Sequence, residues 1–189
     1  MDNIILNKIL KFINNGKKFK NYLGVFTIEE YNALNLKNKK NFSLILFISN
    51  ISENLGHFVT IFKSENKIFF CDSYGKNVTF YKKKIKNINF YLNYKLQSNN
   101  TTICGGYSIF FVHVISLCKY KMICFKKIFL DFFNFKRKFI NDKYIKNYLF
   151  LIYPKLNNKY CKYLFCNKNF IINYENCKKV LCQLKKKKH

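Results

Sequence analysis

Tryptophan is absent from this 189-residue chain, and proline and arginine occur once each, at Pro154 and Arg137. Without prolines to stop them, helices and strands can run almost anywhere ahead of Pro154. A single arginine argues against bidentate reading of base edges, so sequence-specific nucleic-acid recognition is not expected. Acidic residues are scarce as well, nine against 35 Lys and Arg, which leaves a net charge of +26. No run is long and apolar enough to span a bilayer, since the strongest, Tyr107 to Cys118, is short and contains His113. A secretory leader is not expected either. Met1-Asp2-Asn3 opens with an acid, and Ile4 to Ile13 alternates with Asn7, Lys8 and Lys11 in helical fashion.

Apolar and aromatic residues are plentiful, at 49% and 19% of the chain with 22 Phe and 14 Tyr, which excludes a disordered protein despite the charge. No internal repeat is visible. The length suits one principal domain over residues 1–150 and a basic, cysteine-containing extension over residues 151–189, packed on it and ending in a flexible lysine-rich tail. Lys, Asn, Ile, Phe and Tyr share A/T-rich codons, so genome composition accounts for part of the lysine. It does not explain so few acids. A long-range, nonspecific attraction to DNA or RNA is therefore expected. The densest basic runs are Lys82 to Lys84, Lys126-Lys127, Lys136-Arg137-Lys138 and Lys185 to Lys188. Such runs are most often solvated faces, and the terminal one has a nuclear-import signal as its sharper reading.

With no leader and no span, a reducing cytosolic or nuclear setting is expected, in which the eight cysteines are mostly free thiols. Cys161 with Cys166 and Cys177 with Cys182 form two pairs, each spaced by four residues, and four thiolates are a zinc set. That spacing is long for a zinc knuckle, and no Gly or Pro shapes the turns. Packed or incidental cysteines are the preferred reading, and no metal is assigned.

The chemistry-bearing residues are ordered as His57, Asp72, Gln97 and Cys104, with the cysteine inside Ile103-Cys104-Gly105-Gly106-Tyr107. A thiol attacks a carbonyl only as thiolate. It needs a base, a group that orients the base, and donors for the developing oxyanion, and these four residues can fill each role once. Of the three histidines, His189 ends the chain behind a lysine run. His113 follows Cys104 by nine residues on an expected helix from Cys104 to Tyr120, about 900° of rotation that turns it to the opposite side. His57 remains as the base.

His57 to Phe62 and Lys67 to Asp72 are β-rich runs flanking Lys63-Ser64-Glu65-Asn66, and they read as a hairpin. A turn centred between Ser64 and Glu65 sets His57 opposite Asp72 on one face, with Cβ atoms about 5 Å apart. A three-residue loop at Ser64 to Asn66 instead sets Phe58 opposite Asp72. Asp72-Ser73-Tyr74-Gly75 has a plainer meaning too, as a turn that ends a strand. Cys104 would sit where loop becomes helix, among N–H groups that favour thiolate, and Gly105 and Gly106 would admit substrate backbone closely. A helix is expected at about residues 3–15, a strand over Asn41 to Ser49 that is apolar on both faces and thus interior, and another strand from Asn87 to Leu96. Further helices fall within residues 124–153. The fold class is α+β, with a central, mostly antiparallel sheet packed with helices and the cysteine at the N-terminus of a buried helix.

Taken together, Gly56-His57, Phe69-Phe70-Cys71-Asp72-Ser73-Tyr74-Gly75 and the segment from Gln97 to Cys104-Gly105 resemble the adenovirus protease (adenain) family of viral cysteine endopeptidases. The SUMO-specific proteases are its more distant relatives. The seven-residue step from Gln97 to Cys104 is similar to the viral branch, and Asn21-Tyr22-Leu23-Gly24-Val25-Phe26 resembles a segment that enters the family fold near its cleft. The similarity spans roughly residues 20–120. The resemblance implies His57 as general base, Asp72 as its orienting acid, Gln97 in the oxyanion hole and Cys104 as nucleophile. It implies viral precursor proteins as substrates and nucleic acid as a stimulating polyanion, with no cofactor required for the chemistry.

Two departures stand out. The family places Trp after the catalytic His where this chain has Phe58, which keeps an aromatic surface there. Adenoviral enzymes form a disulfide with an activator peptide through a cysteine between the acid and the Gln. Residues 73–103 hold no cysteine, so an activator linked in that way is not expected. The expectation is a monomeric cysteine endopeptidase of virion maturation, in the virion and the host nucleus or cytoplasm, not secreted and not membrane-bound. Two alternatives stand beside it: an isopeptidase for ubiquitin-like modifiers, and a catalytically inactive basic nucleic-acid-binding virion protein on the same fold.

Overall fold

The computed structural model describes residues 6, 9, 21–49, 56–81, 85–92 and 94–153. Of the helix expected at 3–15, only Leu6 and Ile9 are among these, and both are helical and buried in the main core. Cys161, Cys166, Cys177, Cys182, Lys82 to Lys84, the lysine-rich tail and His189 lie outside the described residues, as does nearly all of the 151–189 extension.

Five strands form one sheet in the order β1-β2-β3-β4-β5: β1 (Tyr22–Thr27), β2 (Phe42–Ser49), β3 (Gly56–Ser64), β4 (Lys67–Cys71) and β5 (Phe90–Leu92). The two inner pairings, β2 with β3 and β3 with β4, are antiparallel, while the two outer ones are parallel. The sheet is therefore mixed rather than mostly antiparallel. β1 and β2 are joined through helix α1 (Ile28–Ala33), long enough a crossover to bring the chain back in the same direction. Among the described residues, the span from 87 to 96 yields only the short edge strand β5, and its exposed Phe90 has Lys67 over its ring.

β2 is buried on both faces, as its unbroken apolar run predicts. Leu44, Leu46 and Ile48 face a core shared with Ile28 and Tyr31 of α1, and Ile45 faces the larger core on the other side. α1 starts on a capping box, in which the Thr27 hydroxyl accepts from the Glu30 N–H and the Glu30 carboxylate accepts from the Thr27 N–H. The larger core packs α2 (Cys104–Leu117), α3 (Met122–Phe132) and α4 (Lys138–Ile152) against the sheet. α2 has no polar stripe, and its residues from Cys104 to Ile115 are all buried, which makes it the central helix of the molecule. A Cβ at Gly106 would come within 2.8 Å of Ile145 and 2.9 Å of Leu149. This glycine thus lets α4 approach α2, and the expected role of admitting substrate backbone does not apply to it.

α2 and α3 are joined by a reversal at Lys119 and Tyr120, both with left-handed backbone. The reversal brings the Cα atoms of Cys118 and Cys124 to 5.6 Å, within bridging range, and the two form a disulfide where free thiols are expected from a reducing setting. Cys71 and Cys104 are free. Lys126, Lys127, Lys136 and Arg137 are exposed, as solvated charge runs should be. Among the described residues no helix is long and apolar enough to cross a membrane.

Candidate active site

The hairpin of β3 and β4 forms, but in neither expected register. Ser64 pairs with Lys67 across a two-residue turn, Glu65 and Asn66, in which both residues have positive φ, the geometry that matches strand twist. Thr60 then pairs with Cys71, so continuing the ladder would set Asp72 against Val59 rather than His57. The offset is two residues. Because side chains alternate with period two, His57 and Asp72 keep a common face, and an imidazole and a carboxylate are long enough to close a diagonal gap. His57 Nε2 lies 2.8 Å from Asp72 Oδ1.

Asp72 has three partners. Oδ1 accepts from His57 and, at 2.8 Å, from the backbone N–H of Tyr74, while Oδ2 accepts from the Tyr81 hydroxyl. The Tyr74 bond, with the Gly75 N–H donating to the Asp72 carbonyl at 3.0 Å, makes Asp72 a turn-former as well as a partner of His57. The His57 ring lies between two tyrosines, 5.1 Å from the Tyr74 centroid and 5.9 Å from that of Tyr81. Phe58, at the position where a Trp is usual, points into the main core against Phe47 at 5.1 Å. The rings flanking His57 therefore come from the loop after β4 and the short 3-10 turn Val78–Tyr81.

Cys104 is the first residue of α2, where N–H groups have no partner within the helix. His57 and the backbone N–H groups of Phe58 and Gly105 act on its sulfur to favour the thiolate. Burial pushes the Cys104 pKa up, but His57 and the two N–H donors outweigh it, and the net shift is downward. At Cys71, burial and nearby Asp72 act without such donors and push the thiol well above its ordinary range. Among the described residues, the two free cysteines differ in the way a reactive thiol differs from a packed one. For His57, burial disfavours the charged form, yet Asp72 and Cys104 hold it and raise the pKa to about 9.

Gln97 is completely buried beside this group. Its Oε1 accepts from Ser73 Oγ at 2.7 Å, and its Nε2 donates to the Thr101 carbonyl at 2.6 Å and the Tyr74 hydroxyl at 3.1 Å. Both amide hydrogens are thus engaged within the protein. His113 lies elsewhere, as the helical rotation predicts, bonded to the Tyr148 hydroxyl on α4. His57, Asp72 and Cys104 form one connected unit, and Gln97 joins it through Tyr74. Among the described residues no group of three or more His, Cys, Asp or Glu is placed to hold a metal.

Tyr74, Tyr81, Ser73 and Thr101 have no separate signal in the sequence as members of this site. Tyr74 stands inside Asp72-Ser73-Tyr74-Gly75, but Tyr81 is one of 14 tyrosines and gains its role only through the 3-10 turn. In Tyr81→Phe, Asp72 loses the donor that holds its second oxygen. The less satisfied carboxylate favours the imidazolium more, so the His57 titration followed by NMR should move to higher pH.

Comparison with protein-family models and with curated proteins finds no match to this chain. The functional reading rests on the site itself.

Proposed function

We propose that the chain is a viral cysteine endopeptidase of the adenain type, cleaving virion precursor proteins during maturation. The observation that supports this reading most is the connected unit of Cys104, His57 and Asp72, with a lowered thiol pKa at one end and a carboxylate 2.8 Å from the imidazole at the other. In this reading the Cys104 thiolate attacks the scissile carbonyl carbon and the His57 imidazolium holds the proton. The carbonyl electron pair moves onto oxygen as the C–S bond forms. Collapse of that intermediate expels the amine, which takes the proton from His57. Water, deprotonated by His57, then attacks the thioester, releasing the acid and regenerating the thiol–imidazole pair. Asp72 fixes the ring and stabilises its charge throughout.

The oxyanion is assigned to the Cys104 backbone N–H and the Gln97 side chain. Gln97 Nε2 can serve only if the substrate oxygen replaces one of its present acceptors, and the longer bonds, to the Tyr74 hydroxyl at 3.1 Å and Thr101 Oγ1 at 3.2 Å, are weaker than that to the Thr101 carbonyl at 2.6 Å. No cofactor enters the chemistry. The net charge of +26 supports nonspecific DNA or RNA as a polyanion that gathers a monomeric enzyme and its substrates within the virion or infected cell.

The test is hydrolysis of viral precursor proteins by the purified chain, with and without DNA, measured beside the Cys104→Ala protein. Cleavage that disappears in Cys104→Ala supports the reading. Processing that survives Cys104→Ala overturns it, and cleavage confined to precursors of ubiquitin-like modifiers assigns the site to an isopeptidase instead.

A further inference from the structure

α4 lies outside the stretch of family resemblance, yet it reaches the loop between Gln97 and Cys104 through two adjacent buried residues, Asn141 and Asp142. Asp142 is a buried carboxylate that the chemistry above does not use. Burying a carboxylate costs several kcal/mol unless donors surround it, of the order found for ions moved from water into protein. Donors do surround it. Oδ2 accepts from Ser98 N at 3.2 Å, Ser98 Oγ at 2.5 Å and Thr101 Oγ1 at 3.2 Å, and Oδ1 accepts from the Tyr107 hydroxyl at 2.8 Å. Ser98 and Thr101 belong to the loop, while Tyr107 stands one turn into α2 behind Cys104. One carboxylate thus ties the loop to the helix that carries the thiol. Such charge-assisted bonds are roughly twice as strong as neutral ones.

Asn141 completes the clamp. Its Nδ2 donates to the Leu96 carbonyl at 3.1 Å and to the Asn134 carbonyl at 2.8 Å, and its Oδ1 accepts from Asn134 N at 2.7 Å. Leu96 and Ser98, the two neighbours of Gln97, are therefore both held from α4. The line continues to the amide itself, because Thr101 accepts from Gln97 Nε2 at 2.6 Å and from the Tyr74 hydroxyl at 2.9 Å through its carbonyl.

We propose that Asp142, with Asn141 beside it, is a positioning residue that sets the Leu96–Cys104 loop, and through Thr101 the Gln97 amide, for stabilisation of the oxyanion. The catalytic part of this rests on the peptidase reading; the clamp itself does not. Asp142 makes no contact with His57 or Asp72, so removing it should weaken the bond-breaking step while leaving activation of the thiol intact.

The experiment compares wild type, Asp142→Ala and Asp142→Asn in peptide hydrolysis, in alkylation of Cys104 by iodoacetamide across pH, and in amide hydrogen exchange. Asp142→Ala is expected to lower kcat about 30- to 100-fold, less than the outright loss of an oxyanion donor, with KM within about threefold. Cys104 alkylation and its pH profile should stay within about twofold, since the same groups hold the thiol. Asp142→Asn keeps a carbonyl acceptor of the same shape and should recover most of the loss. Exchange at the amides of residues 98–103 should rise in Asp142→Ala, a result that does not depend on hydrolysis. A folded Asp142→Ala protein with unchanged kcat overturns the catalytic part, as does a parallel fall in alkylation, which would mark a general loosening. Unchanged exchange overturns the clamp itself. If Asp142→Ala does not fold, Ser98→Ala combined with Thr101→Val removes the hydroxyl bonds from the loop side and must show the same split. Absence of any Cys104-dependent hydrolysis in wild type is a failure of the peptidase reading, and the exchange measurement then decides the clamp alone.

Discussion

In His57→Ala, peptide hydrolysis is expected to fall by about 10⁴-fold or more, the scale on which thiol and serine peptidases lose their base. Alkylation of Cys104 at neutral pH should fall with it, by about tenfold or more, because an ordinary thiol is only a few per cent ionised there. Cys71 provides the contrast. Burial raises both thiols, and at Cys104 the strongest opposing influence is the hydrogen bond and charge of His57. Without the imidazole, the N–H groups of Phe58 and Gly105 remain but the cation is gone, so the alkylation profile should move to higher pH.

In wild type the thiolate–imidazolium pair occupies the window between the lowered Cys104 pKa and the His57 value of about 9. Hydrolysis should rise as pH climbs through the thiol titration and decline as His57 loses its proton. The same shift is linked to stability. A histidine held above its ordinary pKa of about 6.5 stabilises the fold fully below that value. The contribution disappears as pH rises through about 9. A thermal midpoint that falls less with rising pH in His57→Ala than in wild type would register this linkage.

The second large effect is expected at Gly75. Its φ is +70°, and a Cβ there would stand 2.7 Å from Lys95 N and 2.9 Å from the Tyr94 carbonyl carbon. Both obstacles are backbone and cannot rotate away. Gly75→Val should therefore cost about 3 kcal/mol, combining left-handed strain with the clash. For a chain of this length that corresponds to a fall of about 6–12 °C in Tm. The damage reaches the site, because the Ser73 carbonyl accepts the N–H groups of Leu96 at 2.8 Å and Gln97 at 2.9 Å. Calorimetry and hydrolysis should therefore decline together.

Much of this arrangement was legible in the residue order. The α+β class, the interior strand β2, the β3–β4 hairpin and a buried helix opening at Cys104 all follow from apolar patterning, because burial on one or two faces writes itself into the chain. The hairpin register did not follow. Two positive-φ residues, Glu65 and Asn66, make the turn, and Glu is a poor advertisement for such a conformation. The pairing of His57 with Asp72 survived because an offset of two preserves the face. The parallel outer pairings and the brevity of β5 depend on partners distant in sequence. Asp142 lies 44 residues from Ser98, with nothing between them to announce the contact. The position of Gly106, two residues after Cys104, points toward the substrate. Its actual constraint, the approach of Ile145 and Leu149, comes from a helix whose packing partner could not be named from spacing alone.

Asp72 belongs at once to the turn after β4 and to His57, and that sharing bears on how such a site would decay. A lineage that abandoned cleavage could replace Cys104 or His57 with little more than local repacking. Replacing Asp72 would also strip the Tyr74 N–H and the Tyr81 hydroxyl of their acceptor and unmake the turn that leads to Gly75. The carboxylate should thus outlast the activity as a fossil of it, and among relatives of this chain its retention alone is no sign of a working enzyme.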